Sequence, residues 1–279
     1  MCNITSNANH SYGFAAAALM TALLVLLAAA QGAERREGTG VGEEVQPYPP
    51  YVEAWEKAKP LIDTHAVRAL VARLRSENMT ERVQAIAALE ALAGDRFGYA
   101  PDGAPEARNK AIAGWERYAQ NLETAVNEWV PWLIATPSKR NCGGRWMAAS
   151  YIGRRAPHPA FLPLLRQIAD NPNDNFDDRG VRIKALKSIS MIRHEGVMEY
   201  LIDHLDTDLA LWGWEQLQKL THPQGGSKEE LAAAGRAFTQ LNKHETGEDW
   251  LVLKKRYQEW WAKNKDTFTY KRSRLLVEH

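Results

Sequence analysis

Metal binding and acid–base chemistry would have to come from the histidines and acidic residues of the chain. The histidines away from the two ends are scattered, at His65, His158, His194, His204, His222 and His244. The sequence contains no His-x-x-x-His or Cys-x-x-Cys spacing of the kind that a zinc site favours. Asp203, His204 and Asp206 are close together, but we place them on the surface turn of a helix. The pattern predicts no metal site, no catalytic residue and no cofactor.

Residues 171–178 are rich in the oxygen ligands that calcium prefers and read Asn-Pro-Asn-Asp-Asn-Phe-Asp-Asp. A calcium loop of the EF-hand type has a glycine near its centre and a glutamate at its twelfth position. Here the twelfth position is Arg182 and the central glycine is missing. We therefore interpret the segment as a solvated turn.

A nucleophilic thiol would have to be Cys142, because the other cysteine, Cys2, lies in the N-terminal segment. A catalytic thiol needs a nearby base and a third group that orients this base. Gly143 and Gly144 follow Cys142 and are typical of a turn that starts a helix. Cys142 is therefore interpreted as a structural residue.

Ten tryptophans make the chain rich in large aromatic side chains. They could form a platform for sugar rings or a peptide, or they could fill gaps between helices in the core. Trp212 and Trp260 lie at apolar helical positions, which favours the core. Trp214 and Trp261 lie off the main apolar stripes and are the better candidates for exposure and partner binding.

The charges are nearly balanced, with 35 Lys and Arg against 34 Asp and Glu, which gives a net charge of +1. Nucleic-acid-binding domains usually carry clustered Lys and Arg and a strongly basic balance. The balance therefore predicts no nucleic-acid partner.

Residues 145–221 contain a helical pattern that recurs. Val181, Ala185, Ile189 and Ile192 recur at steps of three and four, the spacing of one buried helical face. Gly196 interrupts the pattern, and a second stripe follows at Val197, Tyr200, Leu201 and Leu205. The pattern restarts 28 residues later, with Leu209 in the place of Val181, and it is also present 37 residues earlier. Helix pairs that recur at such periods indicate stacked repeats.

The residues Asp178-x-x-Val181-Arg182-x-x-Ala185-x-x-x-Ile189, followed by Gly196-Val197, resemble the HEAT repeat in its bacterial, phycobilisome-lyase-like form. The resemblance covers residues 80–93 and 145–221. It implies an α-solenoid in which Asp178 and Arg182 tie adjacent repeats together, although Ala210 replaces Arg182 in the next unit.

Each half of the chain ends with a loop and then an aromatic helix. Leu89-x-x-Leu92 precedes a helix with Trp115-x-x-Tyr118, and Leu217-x-x-Leu220 precedes one with Tyr257-x-x-Trp260-Trp261. We interpret these helices as covers for the open ends of the stack. The expected fold class is thus all-α, an α-solenoid of HEAT-like helix pairs with aromatic capping helices.

The N-terminal region predicts export. Residues 14–30 form an apolar run followed by small residues, as in a secretory signal, although a positive segment before the run is missing. The expected organisation is a signal peptide or N-terminal anchor over residues 1–33, a linker over 34–51, the helical domain over 52–270 and a tail over 271–279. The protein is expected to be periplasmic or secreted. The alternative is attachment to a membrane by residues 14–30, and a membrane partner is expected only in that case.

The first functional hypothesis is an exported scaffold that binds a protein or peptide partner without catalysis. The residues expected to face this partner on the first helices of the pairs are Met147, Tyr151, Lys184, Lys187, Glu215 and Lys219. Trp214 and Trp261 complete the candidate set. The alternative is a lyase-like enzyme or ligand carrier with its site at the loops 96–102 and 222–226. A deep polar pocket containing a buried acid such as Asp95 would favour that alternative.

Overall fold

The computed structural model describes residues 47–136, 141–171, 176–222, 236–237, 239–243 and 249–268. The chain divides into two units, Met1–Val45 and Gln46–His279, and all the described residues belong to the second unit. The predicted signal or anchor over residues 1–33, the predicted tail and loop residues 223–226 lie outside the described residues.

The described residues form helices joined by short turns and one longer loop. The helices are α1 (Pro49–Ala58), α2 (Thr64–Arg73), α3 (Met79–Ala93), α4 (Pro105–Thr124), α5 (Val130–Ile134), α6 (Cys142–Arg155), α7 (Leu162–Ala169), α8 (Phe176–Ile189), α9 (Gly196–Asp203), α10 (Ala210–Thr221) and α11 (Trp250–Asn264). The described residues contain no β-strand, and an isolated bridge pairs Pro47 with Ala135. The all-α prediction is confirmed.

Helices α6, α8 and α10 are the first helices of three successive predicted pairs. Helix α6 packs against α8, and α8 packs against both α7 and α10. Gly153 permits the close approach of α6 and α8, because a Cβ atom there would lie 2.5 Å from the Cα atom of Ser188. The Ser188 hydroxyl donates a 2.6 Å hydrogen bond to the Ala149 carbonyl of α6. Helix α9 packs against α10 and α11.

Three buried arginines recur in the first halves of α3, α6 and α8. Arg82, Arg145 and Arg182 are each followed by alanine three residues later and by leucine or isoleucine seven residues later. Each guanidinium donates to a backbone carbonyl outside its own helix, at Pro101, Leu133 and Ala169 respectively. Arg182 also forms two hydrogen bonds of 2.8 and 2.9 Å with the Asp208 carboxylate, just before α10.

Helix α1 begins at Pro49, which places the start of the packed body before the predicted boundary at residue 52. Tyr51 is buried, and its hydroxyl accepts a 2.6 Å hydrogen bond from the Asn171 side chain. Trp55 stacks on Phe161 with a ring separation of 6.1 Å. The proline-rich segment thus ends in a helix because its aromatic residues find partners on and around α7.

The two predicted aromatic capping helices are α4 and α11, and they bury different sets of side chains. In α4, Trp115 and Tyr118 are buried, and the Tyr118 hydroxyl donates to the Pro157 carbonyl at 3.2 Å. In α11, the buried stripe is Leu253, Tyr257 and Trp261. The stripe therefore advances by four residues from Tyr257 and reaches Trp261, while Trp260 is only half-buried. The sequence prediction had these two tryptophans the other way round.

Helix α4 continues through a π-helical turn, Ala125–Trp129, into α5. Pro131 is the second residue of α5. A proline inside a helix lacks the N–H group, and its ring clashes with the carbonyl four residues earlier. The wider π-helical turn directly before Pro131 accommodates both effects, so the helical segment continues into α5.

Candidate partner-binding surface

Seven of the predicted partner-facing residues lie on α6, α8 and α10, and three of the charged ones meet across α8 and α10. The Lys187 ammonium lies 3.0 Å from one carboxylate oxygen of Glu215, and the Lys219 ammonium lies 2.7 Å from the other. Burial would raise the pKa of Glu215, but the hydrogen bonds and charges of the two lysines lower it below its ordinary value. Glu215 is therefore held as a carboxylate between two ammonium groups.

Lys184 lies beside this group, on α8. Its ammonium stands 4.2 Å from the ring centre of Trp146 on α6, a cation–π contact. Partial burial lowers the pKa of Lys184, and the nearby charges of Arg154 and Lys187 lower it further, against the opposing effect of Glu215. Lys184 makes no ion pair with any described residue.

The same side of α6 carries exposed apolar and cationic groups. Trp146 is 42% exposed and Met147 is 39% exposed. Arg154 is exposed near the end of the helix and shares a helical face with Met147. We call the set Trp146, Met147, Arg154, Lys184, Lys187, Glu215 and Lys219 the cationic face. It contains four cations and one carboxylate.

Tyr151 is only half-buried, but it takes part in packing more than was expected. Its ring lies 5.3 Å from the ring of Trp129, and the Arg155 guanidinium lies 4.5 Å from its centre. The phenol thus fills the contact between α6 and the π-helical turn. Tyr151 therefore lies at the edge of the cationic face.

The two tryptophans that were predicted to face a partner lie away from the cationic face. Trp214 contacts α11, and Trp261 lies on α11. Trp214 is half-buried, and its ring lies 6.0 Å from that of Trp250. Trp261 is 8% exposed, and its indole N–H donates to the Glu199 carboxylate at 3.3 Å. The expectation of an exposed Trp261 is wrong because a four-residue step from Tyr257 turns it toward α9.

Sequence reasoning missed Trp146 and Arg154. Trp146 stands between a buried arginine, Arg145, and an outward-facing residue, Met147, so it lies at the edge of the buried stripe. Arg154 follows Met147 by seven residues, which returns it to the same helical face. Extending the outward face of α6 by this spacing would have found it.

The loop after α3, which was the predicted rim of an enzymatic site, is used for packing. The Tyr99 hydroxyl donates a 2.6 Å hydrogen bond to the Leu74 carbonyl, and the Trp115 indole donates to the Arg96 carbonyl at 3.2 Å. Asp95 accepts a hydrogen bond from the Phe97 N–H and faces Arg193 at 3.8 Å. These contacts give Asp95 a local structural role.

Two open grooves lie elsewhere on the described surface. One, of about 590 Å³, runs between α2 and α4 and is crossed by the ion pairs Arg68–Glu123 and Arg75–Glu116. The other, of about 720 Å³, is bordered by the end of α3, the start of α9 and the end of α11. Asp95 lines neither groove. The deep polar pocket that would favour the enzymatic alternative is therefore not found at either groove.

An acid, a histidine and a tyrosine meet at the end of α7. The Asp170 carboxylate accepts a 2.6 Å hydrogen bond from the Tyr200 hydroxyl and lies 2.8 Å from Nε2 of His204. The other ring nitrogen of His204 lies 2.8 Å from the Tyr200 carbonyl. The Arg166 guanidinium covers the Tyr200 ring at 4.9 Å. This cluster joins α7 to α9 and the turn after it.

Within the described ranges, no group of three or more histidine, cysteine or acidic residues is arranged to hold a metal ion. None of the described helices combines the length and apolar content that crossing a bilayer requires. Comparison of the whole chain with protein-family models, with curated proteins and with solved structures finds no match.

Proposed function

We propose that this chain is an exported HEAT-like scaffold that binds a protein or peptide partner on its cationic face, without catalysis. The face brings together side chains from α6, α8 and α10, which belong to three successive helix pairs. A surface that spans several helices suits recognition of an extended partner.

The proposed α-solenoid rests on the order of helix contacts. Helix α8 contacts both α6 and α10, while α7 and α9 pack against members of the same series. The bidentate contact of Arg182 with Asp208 joins one pair to the next, in keeping with the role that the HEAT resemblance implies for Arg182. Stacked helix pairs gain stability mainly from such nearest-neighbour contacts.

The observation that carries the functional proposal is the unbalanced charge of the face. Lys184 and Arg154 form no ion pair with described residues. Partial burial lowers the pKa of Lys184, and the like charges of Arg154 and Lys187 lower it further, against the opposing effect of Glu215. Neighbouring like charges oppose folding unless they are compensated. We therefore expect these residues to bind a partner that supplies negative charge.

The test is capture of partners by the tagged protein from the envelope fraction of its host, with proteins identified by mass spectrometry. We expect the double variant Lys184→Glu/Lys187→Glu to capture at least about 90% less of the partner than the wild type does. This corresponds to an affinity that is about tenfold weaker, or about 1.4 kcal/mol. The matched control is Lys110→Glu/Lys263→Glu, which makes the same charge change at exposed positions on α4 and α11.

Equal capture by the wild type and the Lys184→Glu/Lys187→Glu variant would contradict the proposed binding face. Circular dichroism of both variants checks that neither has lost its helices. Export is tested separately by cell fractionation and by mass spectrometry of the mature N-terminus. An unprocessed chain in the cytosol would contradict that part of the proposal.

A further inference from the structure

We infer that the cationic face recognises an acidic segment of a protein partner, with a partner carboxylate between Lys184 and Arg154 and an apolar side chain on Trp146 and Met147. This inference rests on the proposed function and specifies the chemistry of the partner. It commits to a peptide segment rather than to a nucleic acid or a lipid surface.

The carboxylate position follows from the two cations of the face that form no ion pair with a described residue. Lys187 and Lys219 already share Glu215, with ammonium-to-oxygen distances of 3.0 and 2.7 Å. Lys184 and Arg154 form no ion pair with a described acidic residue. The close contact of Gly153 with Ser188 brings the end of α6, which carries Arg154, next to the turn of α8 that carries Lys184. One added carboxylate would satisfy both cations at once.

Glu215 illustrates how this face holds a carboxylate. Each of its two carboxylate oxygens pairs with one ammonium group, that of Lys219 on its own helix and that of Lys187 on α8. A partner carboxylate beside Lys184 would repeat this arrangement one helix earlier, between α6 and α8. The result is a row of alternating charges across the three helices.

The apolar part of the inference comes from Trp146 and Met147. Both are about two-fifths exposed on α6, and the Trp146 ring lies next to the Lys184 ammonium. Interfaces commonly combine aromatic and methionine side chains with a charged rim. An apolar residue within one or two positions of the partner carboxylate would therefore reach this part of the face.

The size and charge of the face favour a peptide over other polyanions. Duplex and single-stranded nucleic acids are bound by long tracks of phosphate contacts. Here four cations are interrupted by Glu215, and the whole chain carries a net charge of +1. A membrane surface would call for a denser cluster of cations. A short acidic segment of a protein matches the small number of charge contacts that this face can make.

The test is selection of random short peptides, displayed on phage, against the full-length protein. We expect the enriched peptides to contain an excess of Asp and Glu over the starting library, with an aromatic or aliphatic residue nearby. The double variant Lys184→Gln/Arg154→Gln should bind these peptides at least about tenfold more weakly, and Lys110→Gln/Lys263→Gln should bind them as the wild type does. Rising salt should weaken the binding.

The outcomes separate this inference from the proposed function. Enriched peptides that lose affinity in the Lys184→Glu/Lys187→Glu variant but show no acidic excess would overturn the inference and leave the proposed face intact. Peptides that bind this charge-reversal variant as tightly as the wild type would overturn both. Binding of a thymidine oligonucleotide, or of phosphatidylglycerol vesicles, with equal or higher affinity at the same face would overturn the choice of a peptide.

Discussion

Arg182 shows how a single buried side chain joins three elements of the fold. From α8 its guanidinium reaches the last carbonyl of α7, at Ala169, and the carboxylate of Asp208 before α10. Two parallel N–H to oxygen bonds give this contact a fixed geometry that lysine would not reproduce. The residue thus connects α8 to the end of α7 and to the segment before α10 by polar contacts.

Replacing Arg182 with alanine should lower the free energy of unfolding by about 2–3 kcal/mol, because the Ala169 carbonyl and Asp208 lose a charged donor. Urea denaturation followed by circular dichroism measures the effect. The control is Arg68→Ala, which removes the more exposed pair with Glu123 and should cost less than about 1 kcal/mol. Equal losses in the two variants would contradict the role assigned to Arg182.

The environment of Asp170 predicts that the stability of the protein depends on pH under acidic conditions. Burial would raise the pKa of Asp170, but hydrogen bonds from His204 and Tyr200 and the charges of His204 and Arg166 lower it below 3.8. A lowered pKa in the folded state stabilises the protein above the unfolded value, and this stabilisation is lost as the pH falls through the folded value. Asp170→Asn should therefore be less stable than the wild type at pH 5, and the difference should shrink below pH 3.8.

Urea denaturation at a series of pH values measures this difference. Asp102→Asn is the control, since Asp102 is exposed on the loop after α3 and has no described hydrogen-bond or ion-pair partner. A stability difference for Asp170→Asn that persists unchanged to the lowest pH would contradict the assigned hydrogen bonds.

At the residue scale, outward-facing positions were easier to predict than their contacts. The helical period predicted a shared partner-facing side for the charged residues of α8 and α10, and in the structure Lys187 and Lys219 meet at Glu215. The contact of Lys184 with Trp146 depends on how α6 lies against α8, and a pattern within one helix does not contain this information. Trp261 was misplaced because two adjacent tryptophans fit the apolar stripe almost equally well.

At the scale of elements, the contact between α6 and α8 depends on Gly153. A methyl group at this position would lie 2.5 Å from three atoms of Ser188, including its Cα atom, so a side-chain rotation would not relieve the overlap. The two helices would have to move apart, and the hydrogen bond from Ser188 to Ala149 would be lengthened.

Gly153→Ala should therefore lower the free energy of unfolding by about 1–3 kcal/mol, although alanine favours helices over glycine by about 1 kcal/mol. Gly144→Ala is the control in the same helix. No atom lies within 4 Å of an added Cβ atom there, so this variant should be neutral or slightly more stable. Thermal unfolding measures both, and a stabilised Gly153→Ala variant would refute the close helix contact.

The sequence was sufficient to predict the helices of the pairs, because their apolar stripes are regular. It was insufficient for α1, since residues 47–51 are proline-rich and Asn171, the hydrogen-bond partner of Tyr51, lies 120 positions away in the chain. The same reason hid the role of the loop after α3, whose Tyr99 and Arg96 bond to groups on α2 and α4. Elements held by distant contacts leave little trace in local patterns.

At the scale of the whole molecule, the buried apolar residues between Tyr51 and Trp261 form one connected cluster. Contacts between distant segments reinforce it, such as those of Tyr51 with Asn171 and of Gly94 with Arg193. Long repeat arrays can lose terminal repeats before the rest. The connected core makes a single unfolding transition the expected behaviour for this chain.

Replacing the buried Trp55 of α1 with alanine should lower the stability of the whole domain by about 3–5 kcal/mol, because it leaves a cavity beside Phe161. The transitions followed by circular dichroism and by tryptophan fluorescence should remain coincident and shift together. Trp132→Ala removes the same side chain from a position that is 46% exposed and should have little effect. Separate transitions in the Trp55→Ala variant would show that α1 unfolds independently.

The π-helical turn before Pro131 has a consequence for how this protein tolerates change. A π-helical turn closes its hydrogen bonds over one more residue than an α-helical turn, so removing one residue between Ala125 and Trp129 would convert it to α-helix and leave the residues after it on nearly the same helical face. Removing one residue from the α-helical part of α4 would instead rotate everything that follows by about 100° around the helix axis. Trp129 and Leu133, both buried, would then point away from their neighbours on α6 and α1. The number of residues in α4 is therefore fixed by the fold, whereas the π-helical turn is the place where one residue can be lost.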